Sequence, residues 1–149
     1  MKKLNLPPYE VKVKSIDDKV RIFDLLRKKY VLLTPEEWVR QHFLHFLIRY
    51  NDYPKALIKV ESGLNYNNRL KRSDIIVYNR KGGVFMIVEC KAPDKKINKK
   101  SLEQAGIYGK SLKPEYLCLT NGLQHLFWIM DYKAGKAEQI DDVPPALEI

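Results

Sequence analysis

The sequence predicts an α/β domain: a central mixed β-sheet flanked by two helices, with an N-terminal β-hairpin. Three observations carry this expectation. The β-branched apolar runs Ile75-Ile76-Val77-Tyr78 and Val84-Phe85-Met86-Ile87-Val88 are separated by Asn79-Arg80-Lys81-Gly82-Gly83, a strand, loop, strand pattern with glycine for the positive φ angles. Thr34-Pro35-Glu36-Glu37 and Ser101 with Gln104 have the spacing of helix starts. After the hairpin, the expected elements follow in the order αβββαβ, so helices and strands belong to one domain.

Taken in order, residues 1–8 are a Lys- and Pro-bearing arm expected to be loosely ordered. Glu10–Lys14 alternates with period two, 15–19 reads as a turn, and Val20–Phe23 returns as the second strand of an edge hairpin. Residues 24–33 read as irregular or short strand. Thr34 is the expected N-cap of a helix running to about Tyr50, with Pro35 at its first position and Glu37 closing a capping box. Its buried stripe is Val39, Phe43, Phe46, Leu47 and Tyr50, with Glu37, Arg40, Gln41 and His45 on a neighbouring face. Residues 57–61 read as a strand and 62–72 as its polar extension and turn. Glu61 ends that strand and reads as an exposed edge residue, with membership of an acidic cluster as the alternative.

After the two central strands, Ala92-Pro93-Asp94 stops the second. A second helix is expected over 99–112, entered through Ser101, with Leu102, Ala105, Tyr108 and Leu112 inward. Glu115–Thr120 and Leu126–Met130 then read as strands around an Asn121-Gly122 turn. The expected organisation is one domain over 1–143, with arm and hairpin at 1–33, a core at 34–132 and a tail at 144–149.

At 149 residues the chain is long enough to bury roughly 70% of its unfolded surface without a disulfide or metal staple. Apolar content of 45% and charged content of 30% suit an ordinary globule. No run of about 18 apolar residues or cleavable signal is visible, and a cytoplasmic location is expected. Cys90 and Cys118 lie inside apolar runs, where free thiols pack as small hydrophobes.

The net charge of +9 is concentrated. Residues 66–100 hold ten Lys or Arg against Asp74, Glu89 and Asp94. Within that segment Arg69, Lys71, Arg72, Lys95, Lys96, Lys99 and Lys100 are the candidates for contact with a polyanion's phosphates.

The chemistry centres on Asp74, Glu89 and Lys91. Alternate strand residues share a face, so Glu89 and Lys91 point together and Cys90 points away. If the two central strands are antiparallel, Asp74 at the start of one lies beside Glu89 at the end of the next. Two carboxylates about 4 Å apart repel by about 4 kcal/mol at an effective dielectric near 20. A divalent cation removes that cost, and a few carboxylate oxygens suit Mg²⁺ or Mn²⁺. Such an ion activates water and neutralises charge on a phosphate, while Lys91 positions the water or stabilises the transition state. Other patterns do not compete. His42 and His45 lack a third histidine or cysteine at zinc spacing. Gly106–Ser111 falls inside a predicted helix and has Gln104 where a phosphate loop needs glycine.

Ser73-Asp74 followed by Glu89-Cys90-Lys91, in an αβββαβ order of elements, resembles the PD-(D/E)xK nuclease superfamily, with Ser73 where that pattern has proline. More narrowly, Tyr30–Gln41 and Glu89-Cys90-Lys91-Ala92-Pro93 resemble the N-terminal domain of type I restriction enzyme R subunits, in a small stand-alone bacterial form. The resemblance implies a restriction-endonuclease-like core and a DNA-hydrolysing, endo- or exonucleolytic activity. It implies that Asp74 and Glu89 bind the metal, that Lys91 is catalytic and that Glu37 completes the acidic cluster. Gln104 and Tyr108 match a helical Q-x-x-x-Y element that supports the site. The implied partners are DNA and a separate translocase or helicase, and a homodimer is compatible with the pattern. The alternative reading is a non-catalytic nucleic-acid-binding or interaction module on the same fold.

Overall fold

In the computed structural model, residues 1–61, 64–66, 69–71, 74–98, 100–103 and 112–149 are described, with 61, 64–66, 69–71 and 74 as backbone alone. The chain opens with an antiparallel meander of β1 (Val13–Ile16), β2 (Lys19–Asp24) and β3 (Lys29–Leu32). The β1–β2 turn is two residues long, Asp17 and Asp18, at φ 53° and 63°. Two positive φ angles match the right-handed strand twist, and Asp tolerates them. The tight turn therefore moves the first strand three residues downstream of the expected Glu10–Lys14. Residues 24–33 resolve into a turn and β3.

Thr34 caps helix α1 (Pro35–His45) by accepting the Glu37 amide proton at 3.1 Å. The helix continues as a π-helical turn, Phe46–Tyr50, closed by the Asn51 side chain donating to the Phe46 carbonyl at 2.9 Å. Val39, Phe43, Leu44 and Leu47 are fully buried, whereas Tyr50, expected in the stripe, is 55% exposed. Widening the last turn shifts the angular position of every residue in it, which carries Tyr50 off the apolar face.

The central sheet has six strands in the order β11-β10-β9-β8-β7-β4. These are β4 (Ile58–Glu61), β7 (Asp74–Tyr78), β8 (Val84–Cys90), β9 (Tyr116–Thr120), β10 (His125–Asp131) and β11 (Lys136–Ile140). β8 and β9 run parallel and the other neighbours antiparallel, so the sheet is mixed as expected. β11 follows a turn with Gly135 at φ 65° and was not anticipated, because Lys136–Ile140 carries only two apolar residues. Between β4 and β7, β5 (Leu64–Tyr66) and β6 (Arg69–Lys71) form a separate two-stranded ribbon where extension and turn were expected.

Two apolar clusters sandwich this sheet. On one face Ile75, Val77, Met86, Val88, Cys90, Cys118 and Phe127 pack against α1. On the other, Ile76, Ile87, Leu117, Leu119 and Trp128 gather with Ile97, and Leu102 from the helical residues 100–103 packs against them. Fully burying one such side chain contributes about 1.5–3 kcal/mol, so the clusters are the main source of stability. The register slips between Val77 and Tyr78, leaving Phe85 as an extra residue in β8 and turning it into the first cluster beside Tyr53 and Tyr116.

Both termini are tied down, contrary to the expectation for the arm. Leu4 is buried, Asn5 donates its amide proton to the Gly122 carbonyl at 2.8 Å, and Trp38 Nε1 donates to the Lys2 carbonyl at 2.8 Å. At the other end Tyr53 donates to the Pro144 carbonyl at 2.7 Å and Ile149 packs on the first cluster. Among the described residues no helix is long and apolar enough to cross a membrane.

Candidate active site at the end of the central sheet

β7 and β8 are antiparallel neighbours because Asn79 folds the chain back. Its side-chain oxygen accepts the amide protons of Lys81 and Gly83, both at 2.9 Å, and Gly82 takes φ 90°. The resulting register makes Asp74 and Glu89 direct Cα partners. Paired positions in an antiparallel sheet share a face. The next strand adds to the row, since Glu61 of β4 is the Cα partner of Asp74. Three carboxylate-bearing positions thus lie side by side on β4, β7 and β8. The sequence left Glu61 between an exposed edge residue and a member of the acidic cluster, and the pairing register places it in the row.

This row belongs to the face away from α1, since Ile76 and Ile87, two residues inward from Asp74 and Glu89, lie in the second cluster. Glu89 is 7% exposed, and its row continues into Leu119 of β9. Burying a carboxylate among apolar neighbours costs free energy unless a cation compensates it. Lys91 provides that compensation, with Nζ 3.0 Å from Glu89 Oε1 while its side chain stays one-third exposed. The Lys91 backbone is held by donating to the Thr120 carbonyl at 2.8 Å, which extends the parallel ladder past the end of β8. The expected sharing of a face by Glu89 and Lys91 is therefore present as an ion pair.

Glu37 is placed differently. It lies on the helix covering the other face, and its carboxylate accepts from Arg40 Nε at 2.7 Å, from Arg40 Nη2, and from Gln41 Nε2 at 2.9 Å. Arg27 Nη2 approaches it at 3.6 Å, and Arg27 also pairs with fully buried Asp24 at 2.6 Å. Asp24, Glu37, Arg27 and Arg40 form an ion-pair network joining the β2–β3 turn to α1. Burial alone would raise the Asp24 pKa, but the hydrogen bonds and charge of Arg27, with the Leu26 amide, outweigh it and hold the carboxyl below its usual range. The structure thus brings Glu89, Lys91 and the Asp74 position together and commits Glu37 to a clamp.

Of the supporting residues, Gln104 and Tyr108 lie outside the described residues, as do Arg72 and Lys99. Arg69 and Lys71 are placed as backbone in β6, and Lys95, Lys96 and Lys100 are exposed after β8. Residues 100–103 are helical, within the expected second helix, but its cap differs from the expected one. Asn98, not Ser101, is its cap, accepting the amide protons of Lys100 at 3.0 Å and Ser101 at 3.2 Å, while Ser101 Oγ accepts from the Asn98 amide at 3.3 Å. Asn competes as well as Ser for this position, and the reciprocal bond makes Ser101 the third helical residue.

The histidines are structural in their contacts. His125 Nε2 lies 2.9 Å from the Asn5 carbonyl, which assigns the proton to Nε2 and makes Nδ1 the acceptor from Thr120 Oγ1 at 2.7 Å. Burial lowers the pKa values of His125, His42 and His45. Among the described residues no three His, Cys, Asp or Glu side chains gather around a common point. The donor types at the Asp74–Glu89 positions fit a hard divalent cation: carboxylate oxygens, one of them buried and held by an ammonium.

A mixed sheet covered on both faces, with paired acidic positions and a lysine at the end of its central hairpin, defines an α/β domain whose charged residues converge on one sheet end. Compared with models of known families, residues 35–144 match the one described as type I restriction enzyme R protein N terminus. The match spans well over half of the chain, and the chain belongs to that family. No curated protein matches it.

Proposed function

We propose that this domain is a Mg²⁺- or Mn²⁺-dependent nuclease of the PD-(D/E)xK type that hydrolyses DNA phosphodiesters in a restriction system. The observation that carries this reading is the register of Asp74 opposite Glu89, with Lys91 Nζ 3.0 Å from the Glu89 carboxylate. The family's description, a restriction enzyme R protein N terminus, supports DNA as substrate and other restriction-system subunits as partners.

Asp74 and Glu89 would hold the cation, which when bound lowers the pKa of a water and offsets charge on the scissile phosphate. Lys91 stands beside Glu89 and is accessible, so its ammonium can orient the attacking water and stabilise negative charge in the transition state. The buried Glu89 carboxylate holds that ammonium in place. Exposed Lys95, Lys96 and Lys100 supply non-specific attraction for a phosphate backbone.

The test is incubation of supercoiled, linear and single-stranded DNA with Mg²⁺ or Mn²⁺, alongside Asp74→Ala and Lys91→Ala. Metal-dependent cleavage lost in both variants is the expected result. Salt-sensitive binding without cleavage by the wild type under any of these conditions refutes the enzymatic reading in favour of a binding module.

A further inference from the structure

The β1–β3 meander lies before the residues matched to the family, and its pairing arranges charge in an unusual way. One face carries the rows Lys12–Phe23–Tyr30, Lys14–Arg21–Leu32 and Ile16–Lys19. Four cations and two aromatic rings share this face, and none of its positions is acidic. Lys14 and Arg21 are direct cross-strand partners, a like-charge pairing that destabilises an isolated sheet. The Lys14 ammonium lies 4.1 Å from the centre of the Tyr30 ring and that of Lys12 5.7 Å from Phe23. Arg21 Nε is buried without a hydrogen-bond partner among the described residues.

At the edge of this face, next to Lys12 and Phe23, is a pocket of about 260 Å³ that also takes in Tyr9, His45 and Arg49. Its far wall is the π-helical turn that carries Arg49 and Tyr50. Turns of this kind often mark functional positions. Two of the pocket's wall residues, Tyr9 and His45, stack ring on ring with centroids 3.8 Å apart. Glu10 is the one acid at the rim.

We infer that this meander face and its edge pocket form a second nucleic-acid contact surface, which binds a single strand. Phosphates of the strand relieve the Lys14–Arg21 repulsion and engage Lys12 and Lys19. Bases stack against Tyr30 and Phe23, both partly exposed between the lysines. The pocket, walled by Tyr9, Phe23 and His45, takes one base. A duplex hides the faces of its bases and engages only the cations, so the rings select for a single strand. This surface is separate from the Asp74–Glu89 row and goes beyond the nuclease reading.

The test is fluorescence anisotropy of a labelled oligothymidylate about 20 nucleotides long, in EDTA, over a series of salt concentrations. The double variant Lys14→Glu, Lys19→Glu should bind at least about tenfold more weakly. Its salt slope should be shallower by about 1.4, two phosphate contacts at about 0.7 each. Tyr30→Leu should weaken binding several-fold and Tyr30→Phe should bind as the wild type does. An unchanged affinity in the double variant overturns the inference, as does a blunt duplex that competes as well as the single strand. Photocrosslinking of the wild type to 4-thiothymidine oligonucleotides checks the same surface without any substitution. Crosslinks within residues 8–32 are expected, and crosslinks confined to 66–100 overturn it. Binding read in EDTA does not depend on cleavage, so a wild type that binds the strand there but fails to cleave DNA when Mg²⁺ or Mn²⁺ is supplied sinks only the nuclease reading.

Discussion

Asp74 and Glu89 are Cα partners across β7 and β8, and the ammonium of Lys91 sits 3.0 Å from the Glu89 carboxylate. Glu89 is buried next to Leu119 in its row, so the protein spends stability to keep a charge there. Such placement points to function, because Glu89→Gln keeps the shape and removes a buried charge, while the Lys91 ammonium it leaves behind is one-third exposed and can turn to water. Glu89→Gln should therefore leave the thermal midpoint unchanged or slightly raised while lowering metal-dependent cleavage by about a hundredfold or more. Calorimetry and a plasmid cleavage assay on the same preparation check both halves. A large drop in midpoint would mean that Glu89 is structural.

Glu37 should behave in the opposite way. Its carboxylate is shared by Arg40, which is 1% exposed, and by Gln41 and Arg27. Glu37→Ala removes an ion-pair partner of a buried guanidinium and should cost about 3 kcal/mol. Urea denaturation reads this as a lower midpoint at similar slope. Cleavage per folded molecule should persist, and its complete loss would return Glu37 to the catalytic group.

Stability should also depend on pH through His45. Burial first, then the charges of Arg49, His42 and Lys55, lower its pKa from 6.5 to about 4. Between those values the unfolded chain binds a proton that the folded chain does not, so stability rises with pH across that window. It is complete above about 6.5 and is lost as pH falls toward about 4. Thermal midpoints between pH 4 and 7.5 should show this decline, with a shallower slope in His45→Phe. An identical slope in that variant would exclude His45 as the source.

Gly122 is a stringent backbone position. It sits at φ 83°, and a Cβ there would come 2.6 Å from Leu4 Cδ2 and 3.1 Å from Val39 Cγ2. Gly122→Ala combines the left-handed penalty with a clash against the docked arm, and should destabilise by about 1–3 kcal/mol. Hydrogen exchange should show the Asn5 amide, bonded to the Gly122 carbonyl, losing protection first. Unchanged protection at Asn5 would contradict the proposed coupling.

Much of the fold was legible because its signals are local. Thr34-Pro35 specifies a helix start through one side-chain oxygen and one fixed φ, and Asn79–Gly83 specifies a turn between β-branched runs. The Glu89–Lys91 pair followed from the two-residue period of a strand. Elements with mixed patterns were harder to read. β11 has too few apolar residues, the π-helical turn displaces Tyr50, and Asn98 outcompetes Ser101 as a cap from three residues upstream.

By itself the sequence determined where strands turn, where α1 begins, and that a carboxylate and an ammonium close a core strand, because these depend on neighbouring residues. The tertiary structure decided which acids share a row. Register across β4, β7 and β8 aligns Glu61, Asp74 and Glu89, while the arginines brought in by the β2–β3 turn and α1 bind Glu37 on the other face. Strand pairing and helix docking depend on contacts between residues far apart in the chain, and no short-range pattern encodes them.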